Sequence, residues 1–430
     1  MTPRRLRQGG SVMRPAKSSR NSITSLVEYG YFGLLIVSFV ASERLMIPAL
    51  GGAMNLALAA YCIKQLGSRV ISPIVMPLAC ATSYLLVQYL VHGESLSHPY
   101  VKPFILWSSQ LIIVQAMSFR EGFIHRFAIQ MLVVGLCLLP HVEFVMQDID
   151  WGRATLDASV GLANPNDLGR WFGFLAVYFT TTGLESKRGI VRACYWAVAL
   201  GSMYIVALTV GRGAISAVLI AVIVTFRRLL KRGFIPVLTL SILLFIVHQA
   251  GLFQPMVDRF KVRTQEDSGR LTVWNLGLQR LIDSPLTGEG ASHTGIDVRE
   301  MGRGITTPHN PFLFLALASG IVPLIFFLLY LIQAVRSTLR ACRQRRPDAP
   351  LFCSLLVFVL VAIIPASLDF ASQWAMVTLT VILTPLVASY RPSTISWKMN
   401  LRRHSIRRRV AADVTPMPDV GLPVRTSVEP

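Results

Sequence analysis

Residues 311–332, "PFLFLALASGIVPLIFFLLYLI", contain no charged side chain. Runs of this kind recur along the chain and constrain its fold more than any other feature. In hydrocarbon every backbone N–H and C=O must find a partner within the protein, so the choice is between helices and a closed barrel. The runs are continuously apolar and do not alternate with period two, which selects helices. A hydrophobic content of 53% and a charged content of 15% agree with a membrane environment.

Windows of about 19 residues give apolar spans near 26–42, 46–63, 70–91, 100–118, 123–142, 168–184, 190–209, 213–226, 233–250, 311–333, 351–368 and 372–390. The expected architecture is an all-α polytopic membrane protein of about 12 transmembrane helices with a large outer loop between late helices. With the N-terminus inside, most of the 42 Lys and Arg fall on the inner side and most of the 22 Asp and Glu on the outer side. That is the positive-inside pattern, and it places both termini in the cytoplasm. The formal charge of +20 is thereby read as orientation and attraction to anionic lipid. No aromatic platform or soluble domain accompanies the basic tail, so nucleic acid is not an expected partner.

The chain divides into a basic tail 1–25, spans over 26–250 with an outer loop at 143–167, a large outer loop 251–310, spans over 311–391, and a second basic tail 392–430. "FVAS" in the first span mimics a cleavage site, but an uncleaved anchor preserves the even span count. The six cysteines fall in spans or on the inner side, so neither an outer disulfide nor a zinc site is expected. There is no internal repeat. Function is expected where the chain is long, in the outer loops.

Helix starts on that side are unusual. A helix N-terminus is already partly positive, so a cation there is disfavoured unless an anion joins it. Asn166 or Asp167 is expected to cap one helix, with Arg170 in its first turn. Arg212 sits in "TVGRGAIS" at the outer end of the next inward span. "SGRLTVWNLGLQRLIDS" reads as an amphipathic helix capped by Ser268, with Arg270 in its first turn and Leu271, Trp274, Leu278, Leu281 and Ile282 on one face. Thr307 is expected to cap a fourth helix with Pro308 at its first position, followed by His309 and Asn310. A lone Arg at a membrane edge is ordinarily a snorkelling anchor. Four such starts together point to an anionic ligand, of which a polyprenyl pyrophosphate carrying sugar fits best.

"GRGAIS", "SGRLTVWNLGLQRLIDSPLTGEG" and "TPHNPFLFLALASGIVPLIFFLLYLI" together resemble the O-antigen ligase and O-antigen polymerase superfamily of bacterial membrane glycosyltransferases, as does "GLANPNDLG". The likeness covers roughly residues 150 to 335. It implies a GT-C-like bundle in the bacterial inner membrane with a periplasmic active site. The implied reaction transfers a glycan from undecaprenyl pyrophosphate to a sugar hydroxyl, with inversion and with no cofactor or metal. Arg212, Arg270 and Arg170 would bind the pyrophosphate, His309 would be catalytic, and Asn310, Trp274 and Asn166 would support them. The helix start disfavours imidazolium at His309, whereas bound pyrophosphate favours it.

The implied partners are the undecaprenyl-pyrophosphate-linked glycan donor, a glycan or lipid A-core acceptor, membrane lipid and a chain-length regulator. Repeat-unit polymerisation is the leading reaction, for O-antigen or exopolysaccharide; ligation of finished chains to lipid A core is the alternative. A transporter or flippase of lipid-linked glycan would place ionisable groups near mid-membrane, and a non-catalytic assembly partner would not need the His and Arg constellation. Asp148 to Asp150 ("DID") imitates a metal-binding pair but reads as an acidic outer loop. Glu289, Asp283 and the other loop carboxylates are glycan-binding candidates, and His293 and His248 are given structural roles.

Overall fold

The computed structural model describes residues 17–39, 48–67, 76–94, 102–120, 122–146, 152–156, 165–230, 270–290, 293–298, 303–306 and 308–364. The expected spans 233–250 and 372–390, residues 1–16 of the N-terminal tail, the C-terminal tail, Asp148 to Asp150, His248, Ser268 and Thr307 lie outside them, and residues 17–25 of the expected tail are the start of the first helix. The described residues hold twelve α-helices: α1 (Lys17–Phe39), α2 (Pro48–Leu66), α3 (Met76–Val91), α4 (Lys102–Met117), α5 (Phe123–Leu138), α6 (Pro165–Glu185), α7 (Gly189–Leu208), α8 (Arg212–Leu230), α9 (Arg270–Asp283), α10 (Pro311–Ser319), α11 (Ile321–Arg343) and α12 (Ala349–Ile363).

The protein is mostly helical, and its long helices are those of a membrane protein. By length and apolarity, Phe123–His141, Gly189–Leu208 and Ile321–Arg343 can cross a bilayer, and five further apolar helices are shorter. The expected count of twelve spans therefore exceeds what the described residues establish. The all-helical expectation needs one correction. Each segment expected to be an outer loop contains a small antiparallel pair, β1 (Val142–Met146) with β2 (Gly152–Leu156), and β3 (Ile296–Val298) with β4 (Arg303–Thr306). Pro140 sits in a 3-10 turn after α5, and the "VEFVM" that follows has the β-branched and aromatic content that strands prefer.

A second correction concerns the run at 311–333. It is two helices, α10 and α11, parted at Gly320.

Helix α6 is the centre of the bundle. It packs against α7, α8 and α12, and its residues from Asp167 to Thr181 are buried without interruption. A helix apolar on every side belongs in a core. Trp171 is fully buried and its indole N–H donates to the Met131 carbonyl of α5 at 3.1 Å. Close approach to the neighbours depends on two glycines one turn apart. A Cβ at Gly169 would lie 2.8 Å from Thr209 Oγ1, and one at Gly173 would lie 2.9 Å from the Phe358 ring and 3.1 Å from Val218. Replacing Gly173 with Leu is expected to lower stability by about 1–3 kcal/mol, the usual cost of overpacking. Thermal unfolding in detergent checks it; a melting temperature equal to wild type would show that α6 has slack against α12.

Polar side chains join the same helices. The Thr225 hydroxyl lies 2.6 Å from that of Ser354 and 3.4 Å from that of Thr181, linking α8, α12 and α6 by hydrogen bonds of the kind that hold helices together in lipid. Glu28, in the middle of α1, is buried and accepts from Arg120 Nη1 at 2.8 Å and from Arg126 Nε and Nη2 at 2.8 and 2.7 Å. The windows placed Glu28 at the edge of a span; the structure makes it an interior carboxylate saturated by guanidinium groups. A buried charge requires such partners.

Candidate active site

The segment at His309 is held from three directions. Asn310 caps α10: its backbone is extended (φ −145°), and its Oδ1 accepts from the N–H groups of Phe312 and Leu313 at 3.0 and 3.2 Å. Pro311 occupies the first helical position. The indole N–H of Trp274, on α9, donates to the Pro308 carbonyl at 2.7 Å. Between these fixed points His309 adopts φ 46°, in the left-handed region. Asn, Asp and His tolerate that region better than most residues.

The expected helix start is thus displaced by three residues. "TPHNP" contains two cap-and-proline pairs, Thr307–Pro308 and Asn310–Pro311, and the second prevails. Asn is the better cap, and a helix begun at Pro308 would force Asn310, the residue before a proline, into the α region that proline disfavours. His309 consequently stands outside the helix, half-buried, and Asn310 commits its side-chain oxygen to the cap.

Helix α10 is buried along almost its whole length. Leu313 and Leu317 form a core with Val273 of α9 and Ile296 of β3, against which Trp274, Leu276 and Leu281 pack. A Cβ at Gly277 would lie 2.9 Å from Leu313. The expectation of a single apolar face on α9 is therefore corrected: Val273 and Gly277 face the protein, while Leu271, Leu278 and Ile282 face away. Trp274→Phe removes the donor to Pro308 and leaves a buried carbonyl unsatisfied, at a cost of about 1–3 kcal/mol. Hydrogen exchange at the Phe312 and Leu313 amides is expected to rise by roughly one to two orders of magnitude, in keeping with that cost. Unchanged protection would remove Trp274 from the support of His309.

The far end of α10 is spliced by the segment after α9. At the Gly320 break, the Ile321 N–H donates to the Pro285 carbonyl at 2.8 Å, and the Leu317 carbonyl accepts from the Glu289 N–H at 2.7 Å. These bonds replace the one that an unbroken helix would make between Ile321 and Leu317. Tyr84 of α3 donates to the Leu286 carbonyl at 3.0 Å, and His92 Nε2 lies 3.2 Å from the Thr287 carbonyl. Arg280 braces the other side: Nε donates to Glu289 Oε1 at 3.2 Å, Nη2 to Glu289 Oε2, Nη1 to the Gly295 carbonyl at 2.8 Å, and Nη2 to the His293 carbonyl at 2.6 Å. Glu289 is thus engaged within the protein. The sequence places "SPLTGEG" within the family motif and makes Glu289 a glycan-binding candidate, but it gives Arg280 no role and does not foretell the splice to α10.

A second group surrounds Arg212, the first residue of α8 and half-buried. Val210, two residues earlier, has φ 49°, an outlier for a β-branched residue. A Cβ at Gly211 would lie 3.2 Å from Asn166 Oδ1, so Asn166 and the start of α8 adjoin. Helix α6 begins at Pro165. Asn166 and Asp167 are therefore first-turn residues and not its cap, and Arg170 falls in the second turn. Buried Arg170 donates to Asp167 Oδ1 at 2.9 Å, three residues away, a pairing that offsets much of its charge. Arg270 is the first residue of α9, which sets its place in the chain; its side chain is outside the described set.

Strain marks both groups. Among the described residues three that are not glycine have positive φ: Val210, His309 and Arg345. Two of the three are His309 itself and a near neighbour of Arg212. Such conformations cost of order 1–3 kcal/mol each and gather at functional sites.

Over residues 196–328 the chain matches the family described as O-antigen ligase. The matched stretch contains Arg212, Arg270, Trp274, His309 and Asn310, together with Arg280, Glu289 and Gly320. Asn166 and Arg170 precede it. No curated protein matches the chain. The match falls within the part of the chain whose motifs resemble that family, and it agrees with the resemblance.

Proposed function

We propose that the protein is an inner-membrane glycosyltransferase that moves a glycan from undecaprenyl pyrophosphate to a sugar hydroxyl at the periplasmic surface. The observation that carries this reading is His309: a strained residue, fixed by the α10 cap and by Trp274, inside the ligase-family stretch. Neutral imidazole suits a general base near pH 7.

The proposed step is a single displacement. The acceptor oxygen forms a bond to the anomeric carbon as the bond from that carbon to the pyrophosphate oxygen breaks, inverting the centre. The hydroxyl proton passes to His309. The charge that develops on the departing diphosphate is held by Arg212 and Arg270, forked donors that stay protonated. Arg170, already paired with Asp167, acts as a secondary contact. Asn310 positions His309 through the cap, and Asn166 supports Arg212 from α6.

Repeat-unit polymerisation is the reaction retained from the sequence; ligation of finished chains to lipid A core is the second reading, and the matched family's description, O-antigen ligase, is equally consistent with it. A flippase would use unpaired ionisable groups within the bundle, whereas Glu28 is saturated by Arg120 and Arg126. The test is reconstitution of the full chain in proteoliposomes with a pyrophosphate-linked repeat unit. A ladder formed from donor alone marks a polymerase, and product formed only with lipid A core marks a ligase. Translocation without a new glycosidic bond overturns the proposal. Arg212→Gln is expected to slow transfer about 10²–10³-fold, the effect of removing one donor from a developing oxyanion.

A further inference from the structure

Helix α9 has three distinct sectors around its axis. One is buried: Val273 and Gly277 pack on Leu313 and Ile296. Opposite lies an apolar stripe, with Leu271 63%, Leu278 52% and Ile282 76% exposed. At about 100° per residue these three fall within an arc of about 40°. Asn275, Gln279 and Asp283 form a polar shoulder beside the stripe, all of them exposed. A helix that is apolar toward the protein and again away from it requires an apolar medium on the second side.

What that medium is follows from where the stripe leads. It continues beyond the helix to Leu286, which is 61% exposed. The preceding residue, Pro285, accepts from the N–H of Ile321. Ile321 opens the outward face of the spanning helix α11, where Ile325, Leu328, Leu329 and Ile332 are exposed as well. The stripe on α9 is thus continuous with the surface that α11 presents to acyl chains.

We propose that α9 is an interfacial helix whose Leu271–Leu278–Ile282 stripe is immersed in the acyl region of the bilayer, with its polar shoulder at the head groups. Amphipathic helices of this kind lie roughly 5–10 Å into the boundary. Immersion holds the start of α9, and with it Arg270, at head-group level, while the Trp274 hydrogen bond ties His309 to the same depth. The inference needs only the membrane setting and does not depend on glycosyl transfer.

The test is photocrosslinking in intact membranes with the full chain. Benzophenone variants Leu278→p-benzoylphenylalanine and Ile282→p-benzoylphenylalanine are compared with the same substitution at Asn275 and Gln279. Lipid adducts, read by mass spectrometry, are expected several-fold more often at 278 and 282 than at 275 and 279. Equal lipid labelling at all four positions overturns the proposal. Crosslinks from 278 and 282 into polypeptide overturn it too, by assigning the stripe to a second copy or another protein. Leu271 replaces either stripe position should that variant fail to accumulate.

Discussion

His309→Asn is expected to abolish measurable glycan transfer, a loss of about 10²–10⁴-fold, the range for removal of a general base. Asparagine is the informative substitution because the residue sits at φ 46°. Alanine there would add backbone strain to the loss of the ring, and the two effects would be confounded. Asparagine enters the left-handed region readily and retains hydrogen-bonding groups, but it cannot accept a proton near neutral pH. The variant should melt with wild-type protein, since the Asn310 cap and the Trp274–Pro308 bond remain. Transfer persisting within about tenfold of wild type would leave His309 an orienting residue and the proton with another group.

Gly320→Ala is expected to prevent accumulation of folded protein. At φ 86° the added methyl would enter the left-handed region and overlap the Leu286 carbonyl, with the Pro285 carbonyl 3.0 Å away. These are backbone atoms, which cannot swing aside as the end of a side chain would. Relief requires the 285–289 segment to withdraw, breaking the Ile321–Pro285 and Glu289–Leu317 hydrogen bonds at a buried helix break. Two such losses at about 1–3 kcal/mol each, with about 1–3 kcal/mol for an alanine in a backbone conformation that is essentially glycine-only, consume much of an ordinary stability. Gly201→Ala is the matched control: nothing lies within 4 Å of its Cβ, and in mid-helix it should be neutral or stabilising by about 0.5–1 kcal/mol. Size-exclusion yield of the two variants, side by side, reads the difference. Equal yields would show that the splice contributes little.

The sequence revealed helix positions better than helix ends. Ten of the expected apolar spans fall on described helices, one of them covering α10 and α11 as a single run, because apolar runs are a property of many residues at once, and α9 was legible from its periodicity. The break at Gly320 was hidden because "ALAS" and "IVPL" are apolar on both sides of it. Its signal was the glycine followed three residues later by Pro323, a stop and a restart in close succession. The choice of Asn310 over Thr307 as cap depended on the residue-before-proline rule. For α9, periodicity could not decide which apolar side chains faced the protein, since both sides are apolar. Asp167 and Arg170 have the i,i+3 spacing of a pair, but the sequence makes the first a candidate cap and the second a candidate pyrophosphate ligand, so their ion pair is a finding of the structure. The strain at Val210 was not visible either, because nothing in "TVGRG" requires a β-branched residue to take positive φ.

The bonds that join α10 to α11 come from the main chain of Pro285 and Glu289, and main-chain groups are the same whatever side chain they carry. What this junction prescribes is the number of residues between acceptor and donor. Thr287 is exposed and open to replacement, but Gly288 is not, since at φ 66° a Cβ there would lie 2.5 Å from the Ser319 nitrogen and 2.6 Å from the Leu317 carbonyl oxygen, and one inserted residue between 285 and 289 would shift both partners out of register. Chimeras exchanging this segment should tolerate a foreign side chain at 287 and reject foreign length or loss of the glycine at 288.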